Sequence, residues 1–174
     1  MEPDTNNPVN EDKAKSREKG VKKKEEQLYE PIRRWLELKE FRALIPGKEK
    51  QIVLPVGALF GVRSLEPDVV GYKKSNHRDL LTVVEAKADR VGLFDGLGRC
   101  LIYQKVADFV YLALPRRIAE GIGENSLYKD FGIGILSVDG DRVEERVKAE
   151  QQYSHRSELR EILLSMVKAV LGVK

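Results

Sequence analysis

Two stretches, Glu66-Pro67-Asp68-Val69-Val70 and Leu81-Thr82-Val83-Val84-Glu85-Ala86-Lys87, frame the architecture of this chain. Both are rich in β-branched residues, and the polar run Lys74-Ser75-Asn76-His77-Arg78 between them has hairpin length. Strand side chains alternate faces, so Glu85 and Lys87 point one way and Val84 and Ala86 the other. Sixteen residues, 69 to 84, separate Asp68 from Glu85. That interval suits two short strands and a tight turn, which sets Asp68 beside Glu85. Two carboxylates and an ammonium then share one patch. Converging carboxylates repel, and a hard cation such as Mg²⁺ or Mn²⁺ relieves the repulsion while keeping waters in its shell. Metal-activated water, oriented or deprotonated by a neighbouring Lys, is a nucleophile for phosphorus. The backbone carbonyl of Ala86 offers a further oxygen ligand.

Glu-x-Lys alone says little in a chain that is 34% charged, and it occurs three times, at Glu11–Lys13, Glu37–Lys39 and Glu85–Lys87. Pro-Asp occurs at Pro3-Asp4 and Pro67-Asp68. Only the third Glu-x-Lys follows an apolar β-branched run with a Pro-Asp at hairpin distance. A structural ion-pair cluster at a strand end is the competing reading. Charges aimed into an otherwise apolar sheet face are expensive without a purpose, which favours a site.

Working outward, Leu28, Ile32, Trp35 and Leu36 recur at helical spacing and predict a helix ending near Glu40, which starts at Pro31 or is kinked there. Strands are expected at Gln51 to Val56, Asp68 to Lys73, Leu80 to Lys87, Phe109 to Leu114 and Gly134 to Val138. Arg142 to Val147 pairs with the last across Asp139-Gly140. Asp95 to Ala107 and Ser157 to Leu171 read as helices, and Ile118 to Asp130 as one broken by Gly121 and Gly123. The order predicts an α/β fold, a mixed sheet with helices packed on it.

The chain has 174 residues, a net charge of +3 and one cysteine. That suits one domain, here residues 27–174, and excludes a disulfide framework or multi-Cys zinc site. Residues 1–26 hold 14 charged residues and four apolar ones, and read as a disordered or loosely helical tail. The hydrophilic start and the lack of a long apolar run point to a cytoplasmic protein without a membrane partner. Lys13, Lys15, Arg17, Lys19, Lys22, Lys23 and Lys24 form a basic stretch suited either to solvation or to a polyanion.

The carboxylate motif resembles that of the PD-(D/E)XK nuclease superfamily, whose restriction-endonuclease-like core runs αβββαβ, here over about Gln27 to Pro115. The resemblance implies a metal-dependent DNA endonuclease with Mg²⁺ or Mn²⁺ held by Asp68 and Glu85 and water assisted by Lys87. A first-helix Glu completes the metal site in many members. The matching position is Glu30, with Glu37 as fallback. Gly96 to Gln104 with the following strand resembles the Gln-x-x-x-Tyr region of RecB-like and archaeal Holliday-junction-resolvase-like members. Tyr103 fits, Arg99 stands at the Gln position, and Gln104 lies one residue past the tyrosine.

Arg99, Tyr103, Gln104, Lys73 and Lys74 are the expected nucleic-acid contacts, Arg99 through its planar fork. Arg33-Arg34 and Arg116-Arg117 are further basic pairs, usually plain solvated surface. Tyr103 also suits a core or rim position, and Cys100 reads as a small buried hydrophobe. His77, His155 and one Cys do not make a zinc site. The paired glycines lack nucleotide-binding fingerprints. DNA is the expected partner, with RNA open, and a homodimer would supply two sites for duplex scission. The alternatives are a non-catalytic nucleic-acid-binding module and an accessory subunit.

Overall fold

The computed structural model describes residues 8–48, 51–55, 64–75, 78–122, 127–152 and 157–173, with backbone alone for 8–18. A first helix, α1 (Pro8–Leu38), leads into β1 (Arg42–Leu44), β2 (Val69–Lys74), β3 (Asp79–Ala86), α2 (Leu93–Tyr103) and β4 (Phe109–Pro115). Two short helices, α3 (Arg116–Ala119) and α4 (Leu127–Asp130), precede β5 (Gly134–Asp139), β6 (Arg142–Val147) and α5 (Glu158–Leu171). The six strands form one sheet in sequence order. Pairings β1–β2, β2–β3 and β5–β6 are antiparallel, and β3–β4 and β4–β5 are parallel. A parallel neighbour requires a crossover, which α2 supplies between β3 and β4. The mixed sheet flanked by helices is thus present, and its first six elements run αβββαβ.

The sheet buries both faces. Leu28, Ile32 and Leu36, four residues apart on α1, pack on Val69, Val84, Ala86, Tyr111 and Ala113. Val70, Leu81, Val83 and Val110 face the other way, onto Cys100 and Tyr103 of α2 and Leu163 and Val167 of α5. Each such fully buried aliphatic side chain contributes roughly 1.5–3 kcal/mol relative to exposure. Pro31 lies inside α1, where it removes one helical N–H. The burial of Leu28, Ile32 and Leu36 around it offsets that cost. The helix also starts earlier than the apolar spacing predicts. From Pro8 the charged segment is helical, the second of the two forms expected of it, while residues 1–7 lie outside the described ones. Lys and Glu, which dominate there, are good helix formers. Glu40, at φ 66°, takes the left-handed position that stops α1, and the Phe41 N–H returns to the Leu36 carbonyl at 3.0 Å.

One expected strand is corrected. Residues 51–55 form no ladder, only a single bridge between Leu54 and Leu65. Ile52 and Leu54 are buried, so the alternation there reports burial rather than pairing, and Pro55 has no N–H to extend the bridge. Arg42–Leu44 instead pairs with β2. The helix expected over 118–130 is two separate turns, α3 and α4, and Gly123 between them lies outside the described residues, as do His77, His155 and Val56. Helix α2 stops at Tyr103, short of Ala107, and starts two residues before Asp95. Helix α5 begins at the Ser157 cap, whose hydroxyl accepts the Arg160 N–H, and closes on Gly172 at φ 63°. Among the described residues no helix is long and apolar enough to cross a membrane.

Candidate active site

The β2–β3 register pairs Val69 with Val84, which puts Asp68, one residue before β2, across from Glu85. At this end the ladder stops, and the Asp68 side chain takes over from it. Its Oδ2 accepts the Ala86 N–H at 2.7 Å and its Oδ1 accepts the Tyr29 hydroxyl at 2.7 Å. Glu85 is 1% exposed. The Lys87 Nζ stands 3.0 Å and the Arg99 Nε 3.5 Å from its Oε1, yet neither Glu85 oxygen accepts a well-aligned hydrogen bond. The Arg99 Nε and the Tyr103 hydroxyl are likewise buried without hydrogen-bond partners. Buried polar atoms are nearly always satisfied in folded proteins, so this group sets the spot apart from the rest of the core.

Lys87 is held from below by glycines. A Cβ on Gly92 would lie 2.9 Å from Lys87 Cδ, and one on Gly96 would lie 3.0 Å from Lys87 Cγ and 2.9 Å from Leu112 Cδ1. The two glycines, four residues apart, make a trough on α2 that lets the lysine stem lie flat between helix and sheet. Its ammonium then reaches Glu85, Asp95 at 3.1 Å and Glu25 at 4.0 Å. Asp95 also pairs with Arg99 at 3.2 Å, bracing α2 over the site.

Burial and the nearby Asp68 push the Glu85 carboxyl up to about 8, against the pull of Lys87 and Arg99. Burial also raises Asp68, opposed by the Ala86 N–H and the Tyr29 hydroxyl, and raises Glu25, opposed mainly by Lys87. Burial and the facing Asp68 carboxylate hold the Tyr29 hydroxyl protonated well above its ordinary range. Three carboxyls that resist ionisation beside one another are the electrostatic signature of a cation site or an acid–base centre. They open on a cleft of about 880 Å³ lined also by Lys22, Glu26, Lys48, Glu66, Asp89 and Val91.

The sequence-derived residues divide cleanly. Asp68, Glu85, Lys87 and Arg99 come together as expected, with Ala86 between them on the β3 backbone. Glu30 does not join them: its carboxylate pairs with Arg33 at 3.1 Å and Lys48 at 3.6 Å, and Glu37 also turns to Arg33. The α1 carboxylates in the cleft are Glu25 and Glu26, in the segment read as tail, and Glu25 is the one that reaches Lys87. Tyr103 is fully buried behind Glu85 and presents no surface to a nucleic acid. The Gln104 amide bonds the Phe131 carbonyl, away from the cleft. Lys73 pairs with Glu40 at 2.7 Å, and with Lys74 it stands at the far end of β2 from Asp68. Both lysines lie at the end of the sheet opposite the cleft. Glu25 and Tyr29 are what sequence reasoning missed, and their four-residue spacing was the available signal.

No protein-family model matches the chain, and no curated protein matches it. Among solved structures it is similar to the SPO1766 protein of unknown function from Silicibacter pomeroyi, with 20% identity and a TM-score of 0.54 over 79% of this chain and 78% of that one. Likeness at that identity shows the fold alone.

Among the described residues, no three His, Cys, Asp or Glu side chains stand close enough together to hold a metal ion as placed. The donor chemistry nevertheless fits a hard divalent cation. Glu85 offers two buried oxygens without hydrogen bonds, Asp68 faces it from the residue before β2, and the Glu25 carboxylate lines the same cleft.

Proposed function

We propose that this chain is a Mg²⁺- or Mn²⁺-dependent nuclease of the PD-(D/E)XK type, hydrolysing phosphodiester bonds in DNA. The observation that carries the reading is the pairing of Asp68 with Glu85 across β2 and β3, with Lys87 ion-paired to Glu85 at the mouth of a polar cleft. Asp68, Glu85 and Glu25 would hold the cation, with the Ala86 carbonyl as a further ligand. A divalent cation held there would supply Lewis-acid activation of water and neutralise charge on the phosphate. The chain's own groups do the rest. Lys87, fixed by its glycine trough and held as the ammonium by Glu85 and Asp95, orients the attacking water. Arg99 offers its fork to a phosphate oxygen once substrate competes for it. Tyr29 holds Asp68 in place by donating to Oδ1.

A second reading, a nucleic-acid-binding module without catalysis, draws on the same ion pairs, because Lys87 and Arg99 already compensate Glu85 in the absence of metal. One set of measurements separates the two. We expect Mg²⁺- or Mn²⁺-dependent cutting of DNA substrates by the wild type, reduced about 10²- to 10⁴-fold in Lys87→Ala and abolished in Asp68→Ala and Glu85→Ala. Metal-dependent cutting that survives both carboxylate substitutions overturns the site. Calorimetry that detects no Mn²⁺ binding to the wild type favours the binding module.

A further inference from the structure

We propose that the Asp95 carboxylate stands in for phosphate: at rest it holds Lys87 and Arg99, the two cations that a phosphate oxygen of the substrate takes over, and so it sets how tightly DNA binds. This rests on the nuclease reading and specifies how its site receives substrate. A single oxygen, Asp95 Oδ2, lies 3.1 Å from the Lys87 Nζ and 3.2 Å from the Arg99 Nε. One oxygen of Glu85, Oε1, faces the same two nitrogens at 3.0 Å and 3.5 Å. The two cations are thus held between an inner carboxylate that is 1% exposed and an outer one that is 60% exposed.

Asp95 can vacate this place at small cost. Turning it into water strands no buried carboxylate, whereas Glu85 and Lys87 are buried and cannot follow. Lys87 stays where it is without Asp95, because its stem lies in the trough made by Gly92 and Gly96 and its ammonium keeps Glu85. Asp95 is also an imperfect partner. With both carboxylates near it, the Arg99 Nε still donates no aligned hydrogen bond. A phosphate, free to choose its own angle, can offer that nitrogen an oxygen in line. Asp95 belongs to the first turn of α2, where the helix dipole favours the negative charge of a carboxylate or a phosphate alike. Lys87 and Arg99 both line the cleft, and carboxylates outnumber cations along its wall, so a phosphate gains by taking both.

The test uses full-length protein and fluorescein-labelled DNA oligonucleotides, single-stranded and duplex, titrated at one pH and salt with Ca²⁺ in place of Mg²⁺. Asp95→Asn should bind roughly five- to tenfold more tightly, the scale of two exposed ion pairs that no longer compete. It should lower the KM of Mg²⁺-dependent cutting by the same factor and leave the melting temperature little changed. Asp95→Glu, which keeps the charge, should bind as the wild type does. Beside Arg99→Gln, Asp95→Asn should gain only about two- to threefold, because one of the two released cations is gone. Affinity that is unchanged or weaker in Asp95→Asn overturns the stand-in. So does a full gain that persists beside Arg99→Gln, which is the effect of net charge alone. If cutting sensitive to Glu85→Ala is present in either case, the nuclease reading stands without it. A gain in affinity by a protein that cuts no DNA keeps the stand-in and overturns the nuclease reading. Should neither the wild type nor Asp95→Asn bind DNA, both are overturned.

Discussion

Glu25 and Glu30 stand five residues apart on α1, which rotates one from the other by about 140° at 3.6 residues per turn. Tyr29, four residues from Glu25, stays on its face. One helix therefore sends Glu25 and Tyr29 to the cleft and Glu30 to Arg33 and Lys48. The spacing of Leu28, Ile32 and Leu36 shows which face of the helix is core, but which flank of that face meets the sheet end depends on how the helix crosses the sheet. That is why a motif-based choice settled on Glu30. Substitution separates the two carboxylates. Glu25→Gln should weaken Mn²⁺ binding about tenfold or more, as loss of a ligand or its close support does, whereas Glu30→Gln should leave it unchanged, measured by calorimetry at one pH and salt.

At the scale of elements, α5 is tied to the sheet by a buried arginine. The Arg160 guanidinium donates to the Val106 carbonyl at 3.0 Å, to the Asp79 carbonyl at 2.9 Å and to the Asp108 carboxylate at 2.9 Å. Asp108 is 1% exposed and also accepts the Leu81 N–H, so this cluster joins α5 to the starts of β3 and β4. Removing the arginine leaves the buried Asp108 carboxylate with only the Leu81 N–H and the more distant Arg78 guanidinium at 3.7 Å. Arg160→Met should therefore cost about 3–5 kcal/mol in urea unfolding, far more than Arg116→Met, whose ion pairs with Glu120 and Asp139 are exposed. The periodicity of Ser157 to Leu171 predicts the helix itself. It says nothing of an arginine among the apolar positions, because charged residues read as solvent-facing until a buried partner from 52 residues away is found.

For the molecule as a whole, the site is an electrostatic load on the fold. Glu85 keeps its proton in the folded state up to about pH 8, while in the unfolded chain it ionises near its ordinary 4.5. Between those values the folded state binds more protons than the unfolded one, so stability falls as pH rises through that window. Glu85→Gln should flatten the slope and raise the melting temperature at pH 8 relative to wild type, with little difference at pH 4. Cation binding to the folded chain should reverse the load. Mn²⁺ at a hundredfold excess over its dissociation constant contributes about 2.7 kcal/mol, and thermal melts should show that gain in the wild type and not in Glu85→Gln.

The strands that carry Asp68 and Glu85 were legible in the sequence because a β-branched run, a polar turn and a period of two fix register almost by themselves. The face of Glu85 and Lys87 followed from the same alternation. The four helices expected from the sequence overlap all five of the described ones at least in part. Contacts between distant segments were settled only in three dimensions. The tertiary fold replaced the expected strand at Gln51 with Arg42–Leu44, brought Glu25 out of a charged tail into the cleft, and sent Lys73, Lys74 and Gln104 away from it. The physical reason is the range of the forces: local propensity and periodicity act within a few residues, whereas helix phase over a sheet and the burial of a charge depend on which remote surfaces close upon them.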